Sequence, residues 1–286
     1  MKFTKLQSTG NDFVVIDSSE NEGDWPQLAR AICRRHFAIG ADGLILVLPS
    51  KIADIGMRIF NTDGSEAEAC GNGLRCLVRY AISRGVIGKE TSEVVIETIT
   101  GLRKARILTN MGDKTSIQVS MGKPEFDPIK IPVVIVPDRG KLLDINMMTD
   151  YPVTIGDMEL PLTFVAMGNP HAIYFQKQAV TEFPLSNVGP AIENNELFPN
   201  RTNFEVARII DHSSIEVRVW ERGVGETLSC GSGACAVAVT SLVLNYISNP
   251  VVIKLPGGIL QVDWNGIGEV LLSGPAEIVY DGEWLN

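Results

Sequence analysis

A chain that repeats itself must fold into two copies of one architecture, and this chain does. Residues 58–73, RIFNTDGSEAEACGNG, align without a gap on residues 218–233, RVWERGVGETLSCGSG, 160 positions further along. Arg58 falls on Arg218, Phe60 on Trp220, Glu66 on Glu226, Cys70 on Cys230, and Gly71 and Gly73 on Gly231 and Gly233. Other matches keep the order. Gly10-Asn11 with the apolar run behind it recurs as Gly168-Asn169, and Val94-Val95-Ile96 with Gly101 recurs as Val251-Val252-Ile253 with Gly258. Their offsets, 158 and 157, drift by no more than short loop changes produce. Ordered self-similarity at one spacing marks a duplicated unit. It puts the two Cys-Gly-x-Gly turns in equivalent positions about a pseudo-twofold axis.

Each copy reads as a short apolar strand, a polar turn, then Cys-Gly-x-Gly opening an apolar helix. Behind Cys70, Leu74, Leu77-Val78 and Ala81-Ile82 keep a helical period, with Gly85 as a natural C-cap. The helix behind Cys230 is apolar nearly all round, which predicts that a sheet encloses it. Pro26 suits the first turn of a short helix with Leu28, Ala31, Ile32 and Arg35 on one face, and residues 190–196 predict another. Strands are expected at 11–17, 44–48, 58–61, 93–98, 103–108, 116–120, 203–209 and 216–221. The Pro-rich stretch 122–137 reads as the crossing between copies. The domains are therefore 1–121 and 122–274, and Ser273-Gly274-Pro275, similar to residues 120–124, predicts that 275–286 returns to the first. The 286-residue length accommodates two cores.

Composition narrows the partners. A formal charge of −9 leaves no basic stripe for phosphates and argues against nucleic acid. The longest apolar run, residues 234–244, is broken by Thr240-Ser241 and too short to span a bilayer. The first six residues lack an apolar signal core, so a cytoplasmic protein with no membrane partner is expected. Five cysteines, an odd number, fit free thiols in a reducing compartment.

Cys33, Cys76 and Cys235 read as small buried hydrophobes. Cys70 and Cys230 differ because each precedes a glycine-flanked helix start, where free N–H groups and the helix dipole favour a thiolate. The same N–H groups can hold a carboxylate, and the glycines let a ligand come close. Two such thiols in equivalent turns suit one reaction. A thiolate removes a proton from one face of a carbon, and a thiol delivers one to the other, inverting a stereocentre with no metal or cofactor required. Rival readings use less of the pattern. A zinc site lacks ligand spacing, with His36, His171 and His212 scattered. The stretch GSGACA is a weak dinucleotide fingerprint. A cysteine hydrolase with His171 as base leaves one thiol idle, and an amino-acid-binding protein leaves both idle.

At these residues the chain resembles diaminopimelate epimerases. The resemblance runs through GNDFVVID, NTDGSEAEACGNGLRC, GNPHA, FPNRTNFE, ERGVGETLSCGSGACA and VYDG. It implies an α/β fold of the α+β kind, with two pseudo-symmetric duplicated domains, each a curled, mostly antiparallel sheet around a central helix, and the site in the interdomain cleft. It implies cofactor-independent epimerisation of LL-2,6-diaminopimelate to meso-diaminopimelate, for lysine and peptidoglycan precursors, in a homodimer; a racemase of another amino acid on the same fold is the alternative. Carried over by motif, Cys70 and Cys230 are the acid/base thiols, with His171 and Glu221 supporting them. Gly71, Asn72, Gly231 and Ser232 hold the carboxylate at the reacting carbon. Asn11, Asn61, Asn169, Asn203, Glu221 and Arg222 recognise the substrate, chiefly its distal end, and Tyr280 makes a dimer contact. The chain departs from some relatives at Gly43, where they carry a substrate-binding Gln.

Overall fold

The structure, a computed structural model, describes residues 1–18, 23–67, 70–88, 90–111, 114–136 and 138–285. Glu68 and Ala69, within the motif before Cys70, lie outside the described residues. The chain divides into two compact units, Met1–Ser120 with Ser273–Asn286, and Met121–Leu272.

In the first unit, β1 (Lys2–Ser8) and β2 (Asn11–Asp17) form a hairpin whose turn residues, Thr9 and Gly10, both have positive φ. The chain crosses through α1 (Trp25–Ile32) to β3 (Gly43–Leu48), parallel to β2. Strand β4 (Ile55–Asn61) runs antiparallel to β3 and carries the short β5 (Glu66–Ala67). A second crossover, α2 (Gly71–Ser83), leads to β6 (Glu93–Thr98), parallel to β4. Antiparallel β7 (Gly101–Met111) and β8 (Lys114–Ser120) follow. The last strand of the chain, Leu271–Glu283, pairs with both β8 and β1, so the ring of pairings closes. Helix α2 lies inside it, against β1, β2, β3, β7 and β8.

The apolar run of β3, GLILVL, follows from this arrangement. Leu44 and Leu46 face outward into a core with Trp25, Ala29 and Ile32 of α1. Ile45 faces inward and, with Met57 and Ile59, lies against Gly73 of α2. A strand covered on both faces has no position for a polar residue. The buried stripe of α1 is Trp25, Ala29 and Ile32 rather than one through Ala31 and Arg35. The helix starts at Trp25, capped by Asp24, and ends before Arg35, which instead pairs with Asp12 and Asp42.

The second unit repeats the plan. After a small hairpin of β9 (Lys141–Leu142) and β10 (Met148–Thr149), β11 (Tyr151–Ile155), β12 (Met158–Ala166) and β13 (Pro170–Phe175) run antiparallel. Helix α3 (Leu185–Glu193) crosses to β14 (Asn203–Asp211), parallel to β13. Strand β15 (Ser214–Glu221) is antiparallel to β14 and carries β16 (Gly225–Thr227). Helix α4 (Gly231–Val243) crosses to β17 (Val251–Leu255), parallel to β15, and β18 (Gly258–Asp263) follows antiparallel. The strand Leu271–Glu283 is β19. Thus β12, β13, β14, β15, β17 and β18 repeat β1, β2, β3, β4, β6 and β7, with parallel steps in the same places. Side chains repeat too. Arg58 holds Glu66 and Arg218 holds Glu226, each through Nε at 2.8 Å. Gly85 and Asn245 end the two central helices with positive φ.

Helix α3 spans Leu185–Glu193 with Pro190 inside it, not the 190–196 expected. Leu185, Val188 and Ile192 are fully buried beside Phe204. Burying three such side chains is worth about 1.5–3 kcal/mol each, which outweighs the roughly 3 kcal/mol that an interior proline costs. Among the described residues, no helix is long and apolar enough to cross a membrane.

Candidate functional site

Each unit presents its cysteine at the same place, the N-cap of its enclosed helix. Cys70 precedes α2 with extended backbone (φ −125°, ψ 125°), and Cys230 precedes α4 likewise (φ −119°, ψ 118°). Both thiols therefore stand beside the first N–H groups and positive end of a helix. What surrounds them differs.

In the first unit, the half-buried Cys70 has its Sγ 3.8 Å from Asn11 Oδ1, which also accepts from Asn72 Nδ2 at 3.2 Å. The other end of Asn11 donates to Asp42 Oδ2 at 2.8 Å. A carboxylate only accepts, so Asp42 fixes the Asn11 amide with its oxygen towards Cys70 and Asn72. Asp42 is itself held by Arg35, which bridges to Asp12, and Lys5 reaches Asp12 at 2.6 Å. Asn72 is gripped at its other end by Arg75, a fully buried arginine that also donates to Ser8 Oγ at 2.9 Å. Asn61, exposed at the end of β4, pairs in register with Gly43 and donates to Ser65 Oγ at 2.9 Å.

In the second unit, Cys230 is buried, with its Sγ 3.4 Å from both Gly233 N and Ser232 Oγ. Glu221, at the end of β15, accepts from Thr227 Oγ1 and is hydrogen-bonded to Cys230. His171 Nδ1 lies 2.7 Å from Glu205 Oε1, and Nε2 lies 2.9 Å from Asn169 Oδ1. Asn203 accepts from Arg222 N at 2.9 Å and donates to Pro170 O at 2.8 Å, which pins the turn carrying Arg222. The Arg222 guanidinium donates through Nη1 to Asn200 O at 3.1 Å. Buried Glu193 secures the same turn from α3, accepting from Gly223 N and Trp220 Nε1, both at 2.8 Å.

Electrostatics separate the cysteines. Burial, reinforced by the nearby Glu221 and Glu205, pushes the Cys230 thiol well above its ordinary range. Burial also raises Glu221 and Glu205. Burial pushes Cys33 up to about 12 and raises Cys76 as well, so those two are inert core thiols. Cys235 is fully buried in α4.

The structure brings Cys70, Gly71, Asn72 and Asn11 together in one unit, and Cys230, Gly231, Ser232, His171, Glu221, Asn169, Asn203 and Arg222 in the other. Tyr280 is exposed on β19 opposite Lys5, its ring edge-on to Phe3. Sequence reasoning missed Asp42, Arg75 and Glu205. The signal was a charged residue in an apolar setting. Glu205 interrupts a buried strand, and Arg75 sits among the apolar residues of an enclosed helix. The duplication sharpens that signal, for His171 and Glu205 stand where the first unit has Phe13 and Ile45. Among the described residues, no cluster of His, Cys, Asp and Glu could hold a metal ion.

The second glycine of each motif is held by different neighbours. A Cβ at Gly233 would lie 2.7 Å from Glu205 Oε1, whereas one at Gly73 would meet flexible ends, Met57 Cε at 3.1 Å and Ile59 Cδ1 at 3.2 Å. Gly233→Ala is expected to cost about 1–3 kcal/mol through overpacking, and Gly73→Ala less. Denaturant unfolding of the two variants checks the order.

The sequence matches the diaminopimelate epimerase family over residues 3–126 and 163–279. It is 43% identical to the diaminopimelate epimerase of Halothermothrix orenii, over 99% of this chain and 97% of that one. Among solved structures, it is similar to a Bacillus anthracis phenazine biosynthesis protein of the PhzF family, with TM-score 0.72 and 18% identity over 100% and 99% of the two chains. It is also similar to a hydroxyproline epimerase of Agrobacterium vitis, with TM-score 0.69 and 14% identity over 99% and 91%. At those identities the structural likeness carries the fold alone.

Proposed function

The chain belongs to the diaminopimelate epimerase family, and from that premise we propose that it interconverts LL- and meso-diaminopimelate by passing protons between two thiols and one carbon. The observation that carries this reading is the pair of cysteines at equivalent helix N-caps. The Cys70 thiolate takes the α-proton from one face and becomes a thiol. The charge left on carbon spreads into the adjoining carboxylate, which the N–H groups at Gly71-Asn72 and Gly231-Ser232 stabilise. The Cys230 thiol gives its proton to the opposite face and becomes a thiolate, and proton exchange with solvent resets the pair. The reverse reaction exchanges their roles. Burial, with Glu221 and Glu205 nearby, raises the Cys230 thiol and suits it to begin as the acid. Cys70, less buried and at a helix N-terminus, is suited to begin as the base. Asn11, Asn61, Asn169, Asn203, Glu221 and Arg222 recognise the rest of the substrate. The reading includes a cytoplasmic homodimer with Tyr280 at its contact.

The test is exchange in heavy water. Protein incubated with diaminopimelate should replace its α-hydrogen with deuterium as the stereocentre inverts, and proline and lysine should stay unlabelled. Labelling of proline or lysine with none in diaminopimelate would overturn the substrate.

The same scheme predicts a bell-shaped pH dependence of kcat/KM. Activity needs one thiolate and one thiol, so it falls at low pH where both are protonated and at high pH where both are ionised, the two limbs belonging to the coupled pair. A raised thiol pKa keeps Cys230 protonated as pH rises, which places the alkaline limb above the ordinary range of about 8.5. Glu221→Gln removes a charge that raises Cys230 and should move that limb to lower pH. A profile flat into strong alkali, with proton transfer rate-limiting, would contradict the scheme.

A further inference from the structure

Behind the imidazole of the second unit stands a buried carboxyl group that the reaction above does not use. Glu205 is fully buried in β14, with Oε1 2.7 Å from His171 Nδ1. Its Oε2 is also shut off from solvent and has no hydrogen-bond partner among the described residues. His171, likewise fully buried, has Nε2 2.9 Å from Asn169 Oδ1. An amide oxygen only accepts, so Nε2 carries hydrogen, and in a neutral ring Nδ1 is then the acceptor. The hydrogen of the 2.7 Å contact belongs on Glu205. The alternative, imidazolium against carboxylate, would leave Oε2 an anionic oxygen with nothing to solvate it, a worse arrangement than a neutral pair.

The groups facing this carboxyl from the packed elements are His171 on β13, Glu221 on β15 and Cys230 at the start of α4. Two of them are acids, so an ionised Glu205 would set further negative charge against both. Burial acts in the same direction, raising Glu205 above the usual carboxyl range. Gly233 closes the remaining space, since any side chain there would strike Oε1.

We infer that Glu205 is a positioning residue that holds its proton against His171 Nδ1, so that the imidazole stays neutral and presents Nε2–H as a fixed donor. His171 then acts as a donor and not as a general base. It occupies the oxygen of Asn169 and leaves the Asn169 NH2 to donate elsewhere. The equivalent Asn11 is held in the opposite sense, with its NH2 on Asp42 and its oxygen towards Cys70. The duplicated asparagines thus hold their amides in opposite senses. This consequence for catalysis rests on the epimerase reading; the protonation of the pair does not.

Two measurements test it. With only three histidines in the chain, nitrogen-15 NMR of substrate-free protein should show His171 with hydrogen on Nε2 and none on Nδ1. Hydrogen on Nδ1, or a cationic ring, would overturn the inference whether or not diaminopimelate is turned over. Glu205→Leu, which removes the donor, should lower kcat/KM at least about tenfold and let His171 change tautomer. Glu205→Gln has the same shape and supplies an N–H to Nδ1, so it should restore kcat/KM to within about threefold of the parent. Should the leucine variant fail to fold, the glutamine variant still decides. A folded Glu205→Gln protein with kcat/KM down by about thirtyfold or more would mean that the carboxylate, not the acid, is needed. A protein with the Nε2–H tautomer but no turnover would instead count against the epimerase reading.

Discussion

Replacing either Cys70 or Cys230 with alanine should lower kcat/KM for diaminopimelate by at least about 10²–10⁴-fold, the range for loss of a positioned acid or base. Each face of the reacting carbon has one thiol in this scheme, so neither variant can complete an inversion. The fold should survive both changes. Cys230 caps α4 by accepting from Gly233 N, and losing such a cap costs about 0.5–2 kcal/mol. Cys70 makes no side-chain cap bond, so its removal should cost less. Both fall within the total stability of about 5–15 kcal/mol typical of a domain. Kinetics on folded variants, with unfolding curves alongside, provide the check. Cys76→Ala, fully buried within α2, serves as the control and should keep near-normal turnover. Substantial inversion by Cys70→Ala or Cys230→Ala in metal-free buffer would remove the two-thiol mechanism.

Arg222→Lys should also be strongly damaging. The arginine is placed by its backbone, through the bond from its N–H to Asn203, and by one guanidinium nitrogen on Asn200 O. A planar fork matches the distal carboxylate of diaminopimelate in a way that a single ammonium does not. Hydrogen bonds to charged groups are worth about 1.5–3 kcal/mol, so kcat/KM should fall roughly 10- to 150-fold. The loss should appear mainly in KM, because the distal carboxylate is bound alike before and during proton transfer. A variant that handles diaminopimelate as well as its parent would show that Arg222 serves something else.

Much of this architecture could be read along the chain. Helix α2, with its apolar period, its cysteine start and Gly85 at its end, is specified by neighbours within a few residues, as is the doubly buried run of β3. The duplication did more. It singled out Cys70 and Cys230 from five cysteines, because equivalence by descent requires no knowledge of distance. Other features depended on partners far away in sequence. The ring of the first unit closes through β19, which pairs with β1 across nearly the whole chain. Helix α3 begins at Leu185 and tolerates Pro190 because three of its side chains enter the core around Phe204. Arg75 meets Ser8, 67 residues away, and His171 meets Glu205, 34 residues away. Such buried polar pairs leave no periodic trace. Parallel register sets His171 beside Asn203, and alternation then returns Glu205 to the same face two residues later. Local sequence determines which face a residue turns to; only the packed tertiary structure decides what it finds there, because a buried polar group is stable only where the fold brings it a partner.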